Sequence, residues 1–287
     1  MTKHQRSASV VGSADAKEEL RGIVAAVTDL GRNRANNEDN LVVFDLQQKA
    51  ALPPGQEAQF AFAHPGLLVA VADGMGGHSS GQVASQLCVE TLPGEFLKVF
   101  PAGAATEADR DSALKQAVEA TNQVVYARAH EKAADKGMGS TLTCAWMVGN
   151  QAIVAHVGDS RAYHLHEGGF TQLTRDQTVL NSVSEAERQA LLNTPFENML
   201  LQAVGAMVHV EVALTRVHLV PGDYLLLCSD GLYRVVSSEQ MTEVLRGPGP
   251  LQKKAETLIQ KANDGGGPDN VTVILCEVVK SEATPAG

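Results

Sequence analysis

Three apolar, β-branched-rich runs follow one another between residues 140 and 167 with almost no chain between them. They are STLTCAWMV (140–148), QAIVAHVGD (151–159) and RAYHLHE (161–167), and Gly149-Asn150 marks the first turn. Connections this short cannot hold a crossover helix, so the strands they join must run antiparallel. The same kind of segment recurs as GIVAAVTDL (22–30), LVVFDL (41–46), LLVAVAD (67–73), VEVALTRVHLV (210–220), DYLLLCSD (223–230) and NVTVILCEVV (270–279), punctuated by Gly168-Gly169 and Pro221-Gly222. Helical periodicity appears at about 80–98 and 107–134, where Ala113, Leu114, Ala117, Val118, Thr121, Val124, Val125 and Arg128 form a stripe suited to packing on a sheet. Shorter helices are expected at 184–192, where Ser184 and Glu187 form a capping-box pattern, and at 237–246 and 250–263. Helices that come in pairs, not in alternation with strands, predict an α+β fold with helices laid on antiparallel sheets.

Composition bounds what such a fold does. Of 287 residues, 44% are hydrophobic and 20% charged, enough for a sizeable core. One large domain over 21–280 is expected, with a flexible segment at 1–20 and a tail at 281–287. No internal repeat is present. The net charge is −10 and no Lys/Arg block occurs, which argues against nucleic acid as a partner. An acidic chain that handles phosphate needs positive charge from elsewhere, and metal ions supply it. Cys88, Cys144, Cys228 and Cys276 are far apart and form no CxxC pair, as expected of reduced thiols in a cytoplasmic protein. The N-terminus lacks an apolar signal core, and no run approaches the ~20 apolar residues that cross a bilayer, so no membrane association is expected.

Carboxylates stand repeatedly at strand ends beside Gly or Asn: Asp73 in VAVADG, Asp159 in AHVGDS, Asp230 in LLLCSDG, Asp269 in GGPDNVTV, and Asp39 in NNEDNLVVF just before a strand. One such aspartate is ordinarily a turn former. Five whose strand ends converge would repel one another unless cations share them. An all-oxygen set suits Mg²⁺ or Mn²⁺. In DGMGGH (73–78), Asp73 and the Gly74 carbonyl would be adjacent oxygen donors. Two divalent ions ~3.5–4 Å apart, bridged by hydroxide, would provide a nucleophile for in-line displacement at phosphorus. Arg34, five residues before Asp39, offers the fork for phosphate oxygens.

RANNEDN (34–40), VADGMGGHSSGQVAS (71–85), GSTLT (139–143), VGDSRAY (157–163), LTRDQT (173–178), LLCSDGL (226–232) and GPDNVTVIL (267–275) together resemble, in order, the metal-dependent protein phosphatase family (PPM, type 2C), and in particular its compact bacterial serine/threonine phosphatases. The resemblance implies a four-layer α-β-β-α sandwich, two antiparallel sheets flanked by helix pairs. It implies that Asp39, Asp73, Asp230 and Asp269, with the Gly74 carbonyl, hold two core Mn²⁺ or Mg²⁺ ions, and that Asp159 helps hold a third. Arg34, Asp39 and Asp73 would be catalytic, with Arg34 binding phosphate, and Glu38 would steady metal-bound water. The implied activity is hydrolysis of phosphoserine and phosphothreonine by a metal-bridging hydroxide, in signal transduction opposite a cognate serine/threonine kinase, by a monomer. A catalytically silent module of the same family is the alternative; a two-metal phosphodiesterase or nuclease fits the acidic surface poorly.

Two departures stand out. Animal members carry a histidine two residues after the strand-end aspartate, as proton donor to the leaving group, where this chain has Met75, whose thioether has no proton to give. The stretch 176–205, which matches a flap at the substrate entrance of bacterial relatives, is a few residues short. His78 is assigned to capping or packing and not to proton transfer. His78→Ala should therefore lower turnover of a phosphopeptide less than about tenfold, since losing a general acid costs ~10²–10⁴. A hundredfold loss would make His78 the missing acid.

Overall fold

The computed structural model describes residues 19–53, 55–76, 80–100, 106–131, 137–192, 194 and 196–281. His78 and most of the two terminal segments, 1–20 and 281–287, lie outside the described residues. Thirteen strands are seen among the described residues: β1 (Leu20–Asp29), β2 (Asp39–Asp45), β3 (Ala50–Ala51), β4 (Glu57–Ala61), β5 (Leu67–Met75), β6 (Gly139–Ser140), β7 (Leu142–Val148), β8 (Gln151–Val157), β9 (Arg161–His166), β10 (Gly169–Gln172), β11 (Ala213–His218), β12 (Tyr224–Cys228) and β13 (Val271–Lys280). The helices are α1 (Ser80–Val99), α2 (Glu107–Glu131), α3 (Val179–Ser182), α4 (Glu185–Leu191), α5 (Asp230–Tyr233), α6 (Ser238–Arg246) and α7 (Leu251–Asp264).

Every strand pairing is antiparallel. One sheet runs β10-β9-β12-β13-β1-β4 and the other β11-β8-β7-β5-β2-β3, with β6 paired to β5. The central strands are apolar throughout because both of their faces are covered. Along β5, Leu67, Val69 and Val71 point into the layer between the sheets, while Leu68, Ala70 and Ala72 point the other way, against α1 and α2. On the opposite sheet, Leu225 and Leu227 of β12 face the inter-sheet core while Leu226 and Cys228 pack with Leu258 and Ala262 of α7. Period-two alternation thus divides one apolar run between two cores, and the four layers are the expected α-β-β-α sandwich. All four cysteines are buried and unpaired. No helix among the described residues is long and apolar enough to cross a membrane.

Three strands escape the sequence pattern: β3, β4 and β10. All three are at or beside a sheet edge, short, and partly exposed; β4 (EAQFA) alternates between exposed and half-buried positions. Burial, not intrinsic preference, gives a strand its apolar signature, so an edge strand carries little of it. The stripe expected on α2 is right except at Val124, which is exposed, whereas Val125 is fully buried.

Close packing sets one sharp constraint near the start of β1. A Cβ on Gly22 would come within 2.7 Å of both Cys276 Sγ and Phe62 Cζ. Gly22→Ala should cost about 1–3 kcal/mol through overpacking, read as a lower denaturation midpoint. An unchanged midpoint would mean that the buried Phe62 ring yields at no cost.

Candidate metal centre

Antiparallel pairing brings the aspartates to one end of the sandwich. Asp39, the first residue of β2, is in register with Asp73 near the end of β5. Asp230 opens α5 directly after β12, Asp269 lies just before β13, and Asp159 follows β8. Because adjacent strands run in opposite directions, the starts of β2 and β13 and the ends of β5, β8 and β12 share this edge. Asp269 therefore reaches it from a strand's beginning, not its end.

Asp39 is the best-held member. Its Oδ2 accepts hydrogen bonds from Ser229 Oγ (2.6 Å) and Thr272 Oγ1 (2.8 Å), both from the opposite sheet. A relay stands behind Thr272: Asn37 Nδ2 donates to Thr28 Oγ1 (2.9 Å), and Thr28 Oγ1 lies 2.7 Å from Thr272 Oγ1. With the Thr272 proton committed to Asp39, the Thr28 hydroxyl donates to Thr272. The side-chain oxygen of Asn37, Oδ1, closes the circuit by accepting the Asp39 N–H (3.1 Å). One carboxylate oxygen is thus immobilised across the sheet interface, while Oδ1 is buried with no hydrogen-bond partner among the described residues. Asp230 Oδ1 is in the same condition. A buried acceptor left unmet costs on the order of 1–3 kcal/mol, so two of them at one edge point to a cationic guest.

The backbone around these carboxylates is clamped from several sides. Asn270 donates to the Leu30 and Asn36 carbonyls and accepts the Glu38 N–H, which pins the Arg34 loop onto the start of β13. Gly74 N donates to Glu38 O (3.1 Å), the same carbonyl that accepts the Ser85 hydroxyl of α1. Thr141 supports Asp73 twice, its N–H donating to the Asp73 carbonyl (2.9 Å) and its Oγ1 accepting the Asp73 N–H (2.9 Å). A Cβ on Gly74 would lie 2.1 Å from Gly81 O. The glycine after Asp73 is therefore required by the first turn of α1, which seats directly on it. None of Asn37, Asn270, Ser229, Thr272 or Thr141 was singled out from sequence; each is a common hydroxyl or amide, marked only by its place beside an aspartate.

Arginines occupy the rim. Arg34 Nη2 donates to Asp269 Oδ2 at 2.6 Å, so the expected guanidinium does stand among the carboxylates, half exposed. A second guanidinium was not expected: Arg234 Nη2 lies 2.9 Å from Asp230 Oδ2 and 3.5 Å from Asp159 Oδ2. It comes from the turn after α5, four residues beyond Asp230, the i,i+4 spacing that places two side chains on one face. Asp159 is thereby tied to a cation of the chain itself. Arg161 turns away from the cavity, pairing with Asp176 through both carboxylate oxygens (2.9 and 2.6 Å) and lying over the Tyr233 ring.

A cavity of about 630 Å³ opens over the site, lined by Arg34, Glu38, Asp73, Asp230 and Asp269 and roofed by residues 198–200. Among the described residues, Arg34 and Arg234 are the guanidiniums that pair directly with this group of Glu38, Asp39, Asp73, Asp159, Asp230 and Asp269. Burial pushes Asp39 and Asp159 up to about 7. Asp73 is also raised, first by burial and then by the charges of Asp39 and Asp230. Asp73 and Asp230 feel each other's charge, but the structure draws no three of the carboxylates into one closed cluster. Their mutual repulsion and the outward pull of the two arginines account for that. All donors are oxygens, the charge is strongly negative, and two buried oxygens lack partners, so the residues fit hard divalent cations.

A raised carboxylate pKa stabilises the fold below its unfolded value, and that contribution is lost as pH rises through the folded value. For Asp39 the window runs from about pH 4 to about pH 7. In chelator-treated protein, Asp39→Asn should therefore gain stability relative to wild type as pH rises across this window. Its amide oxygen can still accept from Ser229 and Thr272. Melting temperatures of both proteins in parallel check this; a constant difference across the window would remove the electrostatic strain assigned to Asp39.

The model of the protein phosphatase 2C family matches residues 54–261. The serine/threonine phosphatase stp of Listeria innocua is 36% identical over 253 residues, covering 87% of this chain and 93% of that protein. Among solved structures, the S. agalactiae serine/threonine phosphatase superposes with a TM-score of 0.76 at 30% identity, over 91% of this chain and all of that one. The catalytic domain of the phosphatase PstP, solved with two manganese ions, superposes with a TM-score of 0.69 at 37% identity, over 91% of this chain and 99% of that one. By its edge of paired carboxylates, its four layers and these likenesses along most of its length, the chain belongs to the protein phosphatase 2C family.

Proposed function

We propose that this chain is a metal-dependent phosphatase that hydrolyses phosphoserine and phosphothreonine in proteins. The observation that carries the reading is the pair of buried, unpartnered oxygens, Asp39 Oδ1 and Asp230 Oδ1, beside a cavity with a guanidinium at its rim. Asp39, Asp73, Asp230 and Asp269, with the Gly74 carbonyl, would hold two Mn²⁺ or Mg²⁺ ions. Such ions make a nucleophile of solvent at neutral pH and offset charge building up on phosphate.

The protein's own residues do the rest. Ser229 and Thr272 fix the angle of the Asp39 carboxylate, so Asp39 itself need not turn when a cation is bound. Arg34 presents its planar fork at the cavity mouth, where it would orient a phosphate monoester. Glu38, held by its backbone between β5 and Asn270 and raised by burial, lines the same wall and would hold a solvent molecule in line. Asp159 would share a third, weaker cation only by releasing Arg234. Met75 lines the cavity but transfers no proton, so solvent would protonate the leaving group.

The substrates on this reading are phosphoproteins made by a serine/threonine kinase, and the setting is cytoplasmic signalling, where the four buried thiols stay reduced. The phosphatase domain spans 21–280 and acts as a monomer. Asp230→Asn should lower Mn²⁺-dependent hydrolysis of an aryl phosphate at least about a hundredfold, on the scale of losing one electrostatic stabiliser, with the melting temperature of the chelated protein kept. Wild-type turnover by this variant would overturn the site assignment.

A further inference from the structure

At the other end of β12 from the catalytic edge, two histidines and an aspartate come together. His164 and His166 sit two residues apart on β9, so both side chains leave the same face of the strand, with their rings close to parallel and 5.9 Å apart. Asp223, just before β12, puts one oxygen on each ring: Oδ2 is 2.9 Å from His164 Nε2 and Oδ1 is 2.6 Å from His166 Nδ1. The ligand-type atoms of the three residues all lie within 4.8 Å of one another. Asp223 is 2% exposed and is held from behind, accepting the Val220 N–H (3.0 Å) on Oδ2. Its backbone is also fixed, since its carbonyl accepts the Val278 N–H (2.8 Å).

We propose that His164, His166 and Asp223 form a binding site for a divalent transition-metal ion of the zinc type, separate from the catalytic centre. Two imidazoles and a carboxylate are a donor set that borderline ions such as Zn²⁺ prefer, whereas Mg²⁺ and Mn²⁺ prefer the all-oxygen set at the catalytic edge. The two sites therefore select different ions. Seven residues of largely extended chain separate Asp223 from Asp230, on the order of 20 Å at ~3.3 Å per residue, so no ligand is shared. The scaffold is two hydrogen-bonded strands in fixed register, Leu225 lying opposite His164 and Tyr224 opposite Leu165, which limits the movement needed to close on an ion. Binding displaces the hydrogen that now lies between each ring and the carboxylate: a neutral imidazole loses it to solvent and takes one up on its other nitrogen, whereas an imidazolium releases it to solvent and keeps the proton it already has there. A cavity of about 310 Å³ lined by His166, Glu167 and Arg246 gives solvent and exchangeable ligands access to this corner from the His166 side.

Zn²⁺ titration of the whole protein in excess Mg²⁺, by calorimetry or competition with a fluorescent chelator, tests this. Wild type and Asp230→Asn should each bind one Zn²⁺ equivalent. His166→Ala, which keeps the buried Asp223–His164 pair and hence the fold, should weaken that equivalent at least about tenfold, and His164→Ala combined with His166→Ala at least about a hundredfold, the range seen when a site loses support for its metal. Zinc-edge anomalous scattering should put the ion between the three side chains. Absence of a zinc equivalent in magnesium-loaded wild type, unchanged affinity in the histidine variants, or loss of the equivalent in Asp230→Asn would overturn the proposal and leave the trio as a hydrogen-bonded clamp. These results are independent of whether the catalytic centre hydrolyses phosphate.

Discussion

Repulsion among carboxylates gathered at one edge of an otherwise apolar sandwich is the constraint on which the rest of this structure depends. Removing a charged carboxylate from water is costly, and placing several together raises the cost further. The chain meets this with two guanidiniums, with hydroxyl donors that satisfy only one oxygen of Asp39, and by leaving Asp39 Oδ1 and Asp230 Oδ1 without protein partners. An edge built this way is incomplete as pure protein, and its incompleteness is of the kind that a pair of hard cations would remedy.

Rigidity comes from the two sheets meeting at that edge. Asp39 belongs to one sheet, yet its carboxylate is held by Ser229 and Thr272 of the other, and Asn270 ties the Arg34 loop to the same place. The position of a carboxylate is therefore set by the packing of both sheets over the inter-sheet core, not by a local loop. The substrate side is built differently. Residues 198–200 roof the cavity from a stretch secured at its base by the Arg161–Asp176 pair and by Gln177, whose N–H donates to Gly158 O. Met199 in that roof and its neighbours Phe196 and Leu201 are exposed. A fixed catalytic edge below a separately anchored cover lets one chemistry serve different entrances.

Much of the architecture was legible in the sequence because burial on both faces leaves a continuous apolar run, and β1, β2, β5, β7, β8, β12 and β13 all carry one. The edge strands β3, β4 and β10 were not, since half-exposed pairing imposes no such pattern. At the site, Asp39, Asp73, Asp230 and Asp269 stood out through their neighbours, each having Gly or Asn next to it and a strand close by. Arg234 did not: an arginine four residues after an aspartate is ordinary until α5 turns it back over Asp230 and Asp159.

What the sequence by itself determined was the antiparallel connectivity, through connections too short for anything else, and the identity of the acidic residues with the order of the motifs around them. Only the tertiary structure decided which oxygen of Asp39 is engaged and which is left bare, that Gly74 is small because Gly81 of α1 rests on it, and that His164, His166 and Asp223 share a corner. The physical reason is one of range. Hydrophobic period and turn chemistry act between near neighbours along the chain, whereas Ser229 and Thr272 lie 190 and 233 residues from the carboxylate they hold, and only the packing of one sheet on the other brings them within reach.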